Sequence, residues 1–314
     1  MKCFVSGATG FIGRQLCQQL IARGDSVIAL SKSGAPLVDG TATLALDLTA
    51  HEPAAELLQD VDVVFHLAGI AQRQAPQADY QRLNFQATLH LARQAAAAGV
   101  KCFVFLSSVK AMGVTDSVTA RSEDDCVTPV DDYGRSKWQA ECALREEFSG
   151  AAMAVVILRP ALVYGANVKG NLHRLATAVR RGLPRPPPEG ARSMIAVQDL
   201  AHLLCQIAGR PPVGVHTWIA CDGSAYSTRL LYDLLRQAYH KPRGRAWLPR
   251  PVWWLAAGLL DLMAHQSDEP TFKKLFGTEL YSNAAVLAAT HWQPQCRLDD
   301  VISGMLTDAQ VSSQ

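Results

Sequence analysis

Tyr133 and Lys137 stand four residues apart in Tyr133-Gly-Arg-Ser-Lys137, which on a helix puts a phenol and an ammonium on one face. A lysine cation beside a phenol is expected to lower its pKa from an ordinary value near about 10. A tyrosine tuned in that way can exchange a proton with a carbinol or carbonyl oxygen as hydride moves. Ser107 and Ser108 close an apolar run earlier in the chain, where a hydroxyl can hold that same oxygen. The second chemical signal is Gly7-Ala-Thr-Gly10-Phe-Ile-Gly13, lying between a strand-like run and a helix-like one. Glycines there permit a tight turn and let backbone amides approach a pyrophosphate at a helix N-terminus. Thr9, Phe11 and Ile12 share the turn, so all six residues are candidate dinucleotide contacts.

The far end of such a cofactor is read from the residues after the second strand. An acidic side chain there ordinarily takes the adenosine ribose hydroxyls. This chain has Ser31 and Lys32 instead, with Arg14 following the last glycine. Losing the carboxylate and gaining cations favours a 2′-phosphate, so NADP(H) is expected ahead of NAD(H). Asp47, followed by Leu48, is the candidate adenine contact. His66-Leu67-Ala68-Gly69 ends a further strand with small residues against which a cofactor can lie, and His66 reads equally well as structural.

Positioning these groups takes strands alternating with helices, and the hydrophobic pattern supplies them. Strands are expected at 2–6, 26–30, 43–46, 61–67, 101–106, 154–158 and 213–220. Helices are expected at 12–23, at 80–98 with Gly99 as a C-terminal stop, and at 133–148 after a capping Asp131–Asp132 pair. The proline-rich run 183–190 excludes helix and central strand. The fold class is α/β: a Rossmann-type doubly wound parallel sheet with a smaller, mainly helical C-terminal cap. The expected division is a dinucleotide domain over 1–165 with a returning segment near 193–222. The substrate-binding cap is expected over 166–192 and 223–314.

The chain has 314 residues, 49% of them hydrophobic and 18% charged, with a formal net charge of +2. That balance fits a globular protein and argues against nucleic acid as a partner. Eight cysteines show no Cys-x-x-Cys and no metal-like spacing, so no metal is expected and several read as buried thiols. The N-terminus lacks the apolar core of a signal peptide, and the apolar run 252–260 is too short to span a bilayer. A cytoplasmic protein without membrane insertion is expected, with a peripheral role for the Trp253–Trp254 segment left open.

Through nearly its whole length the chain resembles the extended short-chain dehydrogenase/reductases, which act on nucleotide sugars. The matching segments are GATGFIG at Gly7, HLAG at His66, Asn84, SSVKAMG at Ser107, YGRSK at Tyr133 and RPALVYG at Arg159. The resemblance implies that Ser108 is the catalytic serine, five residues before Gly113. It implies that Tyr133 is the acid or base, and that Lys137 holds the nicotinamide ribose and tunes the tyrosine. Asn84 matches a structural and proton-relay position. Asn171 and Arg192 resemble contacts to the substrate diphosphate, a role that suits a bidentate guanidinium. Homodimers built from two helices of each Rossmann domain are usual in the family, here 80–98 and 133–148.

Departures from the family pattern narrow the chemistry. Dehydratases carry Thr-Asp-Glu where this chain has Ser108-Val-Lys110, which disfavours a 4,6-dehydratase. Epimerases keep an acidic residue at the Ser31 position and a second phosphate-binding arginine near the C-terminus. Here the segment after Phe272 offers Lys273 or Lys274. The expected activity is NADP(H)-dependent reduction of a UDP-4-keto-sugar of the N-acetylquinovosamine type, for bacterial surface polysaccharide. The alternatives are a nucleotide-sugar 4-epimerase with bound NAD, an enzyme of a steroid-like alcohol lined by the tryptophan helix, and a non-catalytic NADP sensor.

Overall fold

The computed structural model describes residues 1–51, 53–71, 75–115, 118–168, 170–264, 270–302 and 304. The chain opens with β1 (Lys2–Ser6), α1 (Phe11–Ala22), β2 (Ser26–Ser31), β3 (Leu44–Ala45) and β4 (Val63–His66). Then come α2 (Gln77–Tyr80), a π-helical turn (Gln81–Gln86), α3 (Ala87–Ala97), β5 (Cys102–Leu106), a 3-10 turn (Val109–Met112) and α4 (Asp132–Phe148). Next are β6 (Ala154–Pro160), β7 (Leu162–Tyr164), α5 (Asn171–Arg180), β8 (Ala191–Ala196), α6 (Val197–Gly209) and β9 (Val215–Ala220). The C-terminal elements are β10 (Ala225–Tyr226), α7 (Thr228–Ala238), α8 (Arg250–Ala264), α9 (Thr271–Phe276), β11 (Thr278–Glu279), α10 (Ala284–Thr290) and α11 (Leu298–Ile302).

Seven parallel strands form the main sheet in the order β3-β2-β1-β4-β5-β6-β9. Helices cover both faces, so strand residues are apolar throughout and alternate between two cores. Cys3, Val5, Val104 and Val156 point into one core with Leu16 and Leu20 of α1 and Leu203 and Leu204 of α6. Phe4, Val64, Phe103, Phe105 and Val155 point into the other, with Leu91 of α3 and Leu144 of α4. Each fully buried Leu or Phe contributes roughly 1.5–3 kcal/mol, so the sandwich fixes the strand ends firmly. Chain order reverses direction between β1 and β4, which opens a crevice at the strands' C-terminal ends.

A second, smaller sheet is built on β8, which pairs in parallel with β7 and β11 and antiparallel with β10. Its core gathers Tyr164, Leu172, Val179, Met194, Tyr232 and Leu235. The expected long helix over 80–98 begins earlier, at Gln77, and runs through the π turn before becoming regular. Periodicity does not mark this turn, within which Asn84 makes tertiary hydrogen bonds to Ile70 and Ser136. The expected cap of α4 is observed: Asp131 Oδ1 accepts the Gly134 amide at 2.7 Å. All eight cysteines are free thiols.

Candidate active site

A cleft of about 1600 Å³ runs along the C-terminal ends of the main sheet and under the second one. Gly7, Thr9, Gly10, Phe11, Ile12, Gly13 and Arg14 form its floor at the start of α1. Gly7 has φ +73°, and a Cβ there would lie 2.7 Å from the Ala68 nitrogen. A Cβ on Gly13 would lie 2.2 Å from the Gly7 carbonyl oxygen. The turn therefore closes only without side chains, leaving the first amides of α1 facing the cleft. That cradle suits a pyrophosphate.

Ser31, Lys32, Asp47 and Leu48 line one end of the cleft. Ser31 is buried, sharing a hydrogen bond with Thr43 Oγ1 at 2.8 Å and accepting the Gly34 amide at 3.0 Å. Lys32 Nζ pairs with Asp47 Oδ2 at 2.7 Å. That hydrogen bond, with those from Thr49, pulls the Asp47 carboxyl down to about 2. The other carboxylate lining this end, Asp39, accepts the Thr41 amide at 3.0 Å.

Leu67, Ala68 and Gly69 form the wall beyond β4. His66 behind them is fully buried and bonded at both ring nitrogens, Nδ1 to Ser6 Oγ at 2.7 Å and Nε2 to Thr88 Oγ1 at 3.0 Å. Thr88 donates its own proton to the Asn84 carbonyl at 2.8 Å, so it accepts from His66, which must be the Nε2–H tautomer. Burial, with Lys137 nearby, pushes the imidazole down to about 3. Of the two readings of His66, this geometry selects the structural one.

At the centre, Ser108, Tyr133 and Lys137 line the cleft together. Ser108 Oγ accepts the Lys110 amide at 3.2 Å, capping the 3-10 turn. Gly134 lets α4 approach this turn, because a Cβ there would lie 2.6 Å from the Lys110 carbonyl oxygen. Lys137 Nζ donates to the Leu106 carbonyl at 2.8 Å and sits 4.4 Å from the centre of the Phe105 ring. The expectation that Lys137 lowers the phenol's pKa is corrected here. Burial dominates both groups, pushing Tyr133 up to about 12 against the opposing effect of Ser108 and pulling Lys137 down to about 7.

Ser107 lines the cleft beside Ser108, but its hydroxyl donates to the buried Glu141 carboxylate. Arg159 closes that network, with Nη2 2.6 Å from Glu141 Oε2. Asn171, at the start of α5, and Arg192, on β8, reach the cleft's other end. Of the two lysines expected there, Lys274 lines the cleft, while Lys273 offers its carbonyl to Arg192 Nη2 at 3.1 Å. Glu279 lies 3.4 Å from Lys110 Nζ and 4.0 Å from Arg192 Nη1. Burial raises its carboxyl, and Lys110 and Arg192 together outweigh that and hold it below the usual range. Sequence reasoning missed Glu279, Glu141 and Arg159 as site components. Glu141 follows Lys137 by one helical turn, which was a usable signal, but nothing local marks Glu279. Neither Trp253 nor Trp254 lines the cleft.

A model described as the NAD dependent epimerase/dehydratase family matches residues 3–218. The chain belongs to that family. One relative is the UDP-glucose 4-epimerase of Vibrio cholerae, 32% identical over 260 residues, covering 79% of this chain and 78% of that protein. MoeE5 in complex with UDP-glucose and NAD superposes with a TM-score of 0.78 at 24% identity, covering all of both chains. The UDP-glucuronic acid 4-epimerase of Bacillus cereus in complex with NAD gives 0.80 at 19%, again over the full length of each. As a family member the protein is an NAD(P)-dependent enzyme of the extended short-chain dehydrogenase/reductase type. The resemblance drawn from the motifs, and the Rossmann-type fold class, are thereby borne out.

Proposed function

We propose that this enzyme is an NADP(H)-dependent reductase of a UDP-4-keto-sugar of the N-acetylquinovosamine type, serving bacterial surface polysaccharide. The observation that carries the reading is that Tyr133 lines the cleft beside Ser108 and Lys137, its phenol neutral and its pKa raised by burial. A phenol in that state is a proton donor, which is what reduction of a carbonyl requires. The glycine cradle, the wall at Leu67–Gly69 and Lys137 would hold the cofactor, which supplies hydride when bound. Ser108 orients the carbonyl oxygen and Tyr133 delivers its proton as the carbonyl carbon is reduced. Arg14 and Lys32, with Ser31 rather than an acid as the last residue of β2, support NADP(H) over NAD(H). Asn171, Arg192 and Lys274 offer donors for a diphosphate at the opposite end.

Residues 166–192 and 223–314 act in this reading as the substrate-binding cap over a dinucleotide domain of 1–165 and the 193–222 return. A homodimer through α3 and α4 accompanies it. The experiment is a titration with NADPH and NADH, with and without a UDP-4-keto-6-deoxy-N-acetylhexosamine, following reduced nicotinamide absorbance. Oxidation of NADPH only when the keto sugar is present supports the reductase.

A second reading, a nucleotide-sugar 4-epimerase with bound NAD, is favoured by the name and identity of the Vibrio cholerae relative. Both chemistries use Ser108, Tyr133 and Lys137. Co-purifying NAD that resists exchange, with interconversion of two hydroxy sugars and no net cofactor turnover, would decide for the epimerase.

A further inference from the structure

We propose that α8 is an interfacial membrane-docking helix that seats the enzyme on an anionic lipid surface. Trp247, Trp254, Leu255, Leu259, Leu260 and Leu262 are each more than half exposed on this helix and its approach. Monomeric surfaces scatter large apolar side chains singly, so six on one short segment mark an interaction face. The helix touches the rest of the molecule along the stripe Trp253, Ala257 and Asp261, one residue per turn. Trp253 packs edge-on against Phe276 of α9 at 5.9 Å, and Arg250 lies over Phe272 at 5.8 Å.

Charge identifies the occupant. Arg243, Arg245 and Arg250 lead into the helix, while Lys241 Nζ donates to the Arg180 carbonyl at 2.7 Å. Asp268 and Glu269 follow the helix in sequence, and Asp261 is the sole acid from 241 to 262. Its carboxylate is turned inward onto α9, accepting the Thr271 amide at 3.0 Å. An apolar face with tryptophans at its edge and cations beside it matches hydrocarbon, headgroup and anionic phosphate in turn. Among the described residues no helix is long and apolar enough to cross a bilayer, and fifteen residues span only about 22 Å. The helix therefore lies in the interface plane. Docking there places the lipid one helix away from Lys274, at the substrate end of the cleft. The inference does not depend on which sugar is reduced or epimerised.

The test is co-sedimentation of the full chain with vesicles of phosphatidylethanolamine and phosphatidylglycerol, against vesicles of phosphatidylcholine alone. The expected result is binding to the anionic vesicles that weakens with salt. Leu255→Glu with Leu259→Glu, and separately Arg243→Glu with Arg245→Glu, should each lower the partition at least about tenfold. Their thermal midpoints and NADPH binding should match the unsubstituted protein. Brominated lipid should also quench the tryptophan emission of the unsubstituted chain, a readout that needs no variant. No vesicle binding, or binding indifferent to Leu255→Glu with Leu259→Glu, overturns the proposal. A dimer in sedimentation velocity that those leucine changes dissociate, without vesicle binding, assigns the face to a second copy and overturns it too.

Discussion

Asn84 clamps Ile70 by both of its backbone groups, accepting the amide on Oδ1 at 2.9 Å and donating Nδ2 to the carbonyl at 3.1 Å. The same Nδ2 donates to Ser136 Oγ at 3.0 Å, so one buried amide ties the loop after β4 to α4. Lys137 follows Ser136, and a Cβ on Gly69 would lie 3.0 Å from Asn84 Oδ1 and 3.3 Å from Lys137 Nζ. Asn84 reaches this corner from within the π turn.

Asn84→Ala should therefore cost about 3 kcal/mol, since it strands buried backbone groups rather than merely deleting contacts. Urea unfolding reads the loss. Cofactor affinity should fall with it, because the wall at Gly69 loosens. A change below about 0.5 kcal/mol would mean that the loop keeps its place without the clamp.

Tyr133→Phe removes the proton donor while leaving the ring that packs 6.3 Å from Tyr80. The expected result is a kcat lower by about a hundredfold to ten-thousandfold, with cofactor Kd little changed. Stopped-flow nicotinamide absorbance with the keto sugar measures the first, and fluorescence titration the second. Retention of near-full kcat would displace Tyr133 from the role of acid.

Burial pulls the Lys137 ammonium from its usual 10.5 down to about 7. Between those values the unfolded chain binds a proton that the folded chain does not, so this group makes stability rise with pH across that window. Below about pH 7 both states carry the proton and the penalty is at its full size. Urea midpoints from pH 6.5 to 9 should climb more in the unsubstituted protein than in Lys137→Met. Parallel curves would count against a desolvated lysine.

Arg159→Met leaves the Glu141 carboxylate buried, with Ser107 as a donor and Arg145 only at 3.4 Å. Removing one partner of such a pair should destabilise the fold by about 3–5 kcal/mol. Glu141→Gln with Arg159→Met should recover part of that loss in a double-mutant cycle measured by urea unfolding. Strict additivity would show that the two side chains act independently.

Arg14→Ala and Lys32→Ala should each weaken NADPH binding about tenfold and leave NADH nearly unaffected, as loss of a phosphate contact would. Lys32 holds Asp47 as well, so its replacement also frees that carboxylate. Equal losses for the two cofactors would remove the case for a 2′-phosphate site.

Local pattern was enough to find β1, the glycine turn, α1 and the Tyr133–Lys137 helix, because each is set by residues within one or two turns of one another. Alternation of Cys3, Phe4 and Val5, or spacing of Leu16 and Leu20, is imposed by the element itself and so is written in the sequence. The family, the sheet and the residues gathered at the cleft followed from such signals. Tertiary structure decided the rest. Whether Lys137 or burial governs the Tyr133 phenol depends on desolvation by distant elements, and burial wins. Whether Ser107 faces substrate or Glu141 depends on where Arg159 arrives from β6. Glu279 meets Lys110 across 169 residues. The exposed face of α8 is equally a tertiary fact, since its leucines would read as core in any helix that found a partner within the chain. Spacing records which residues share an element, whereas solvation and charge at a point depend on every element that packs there.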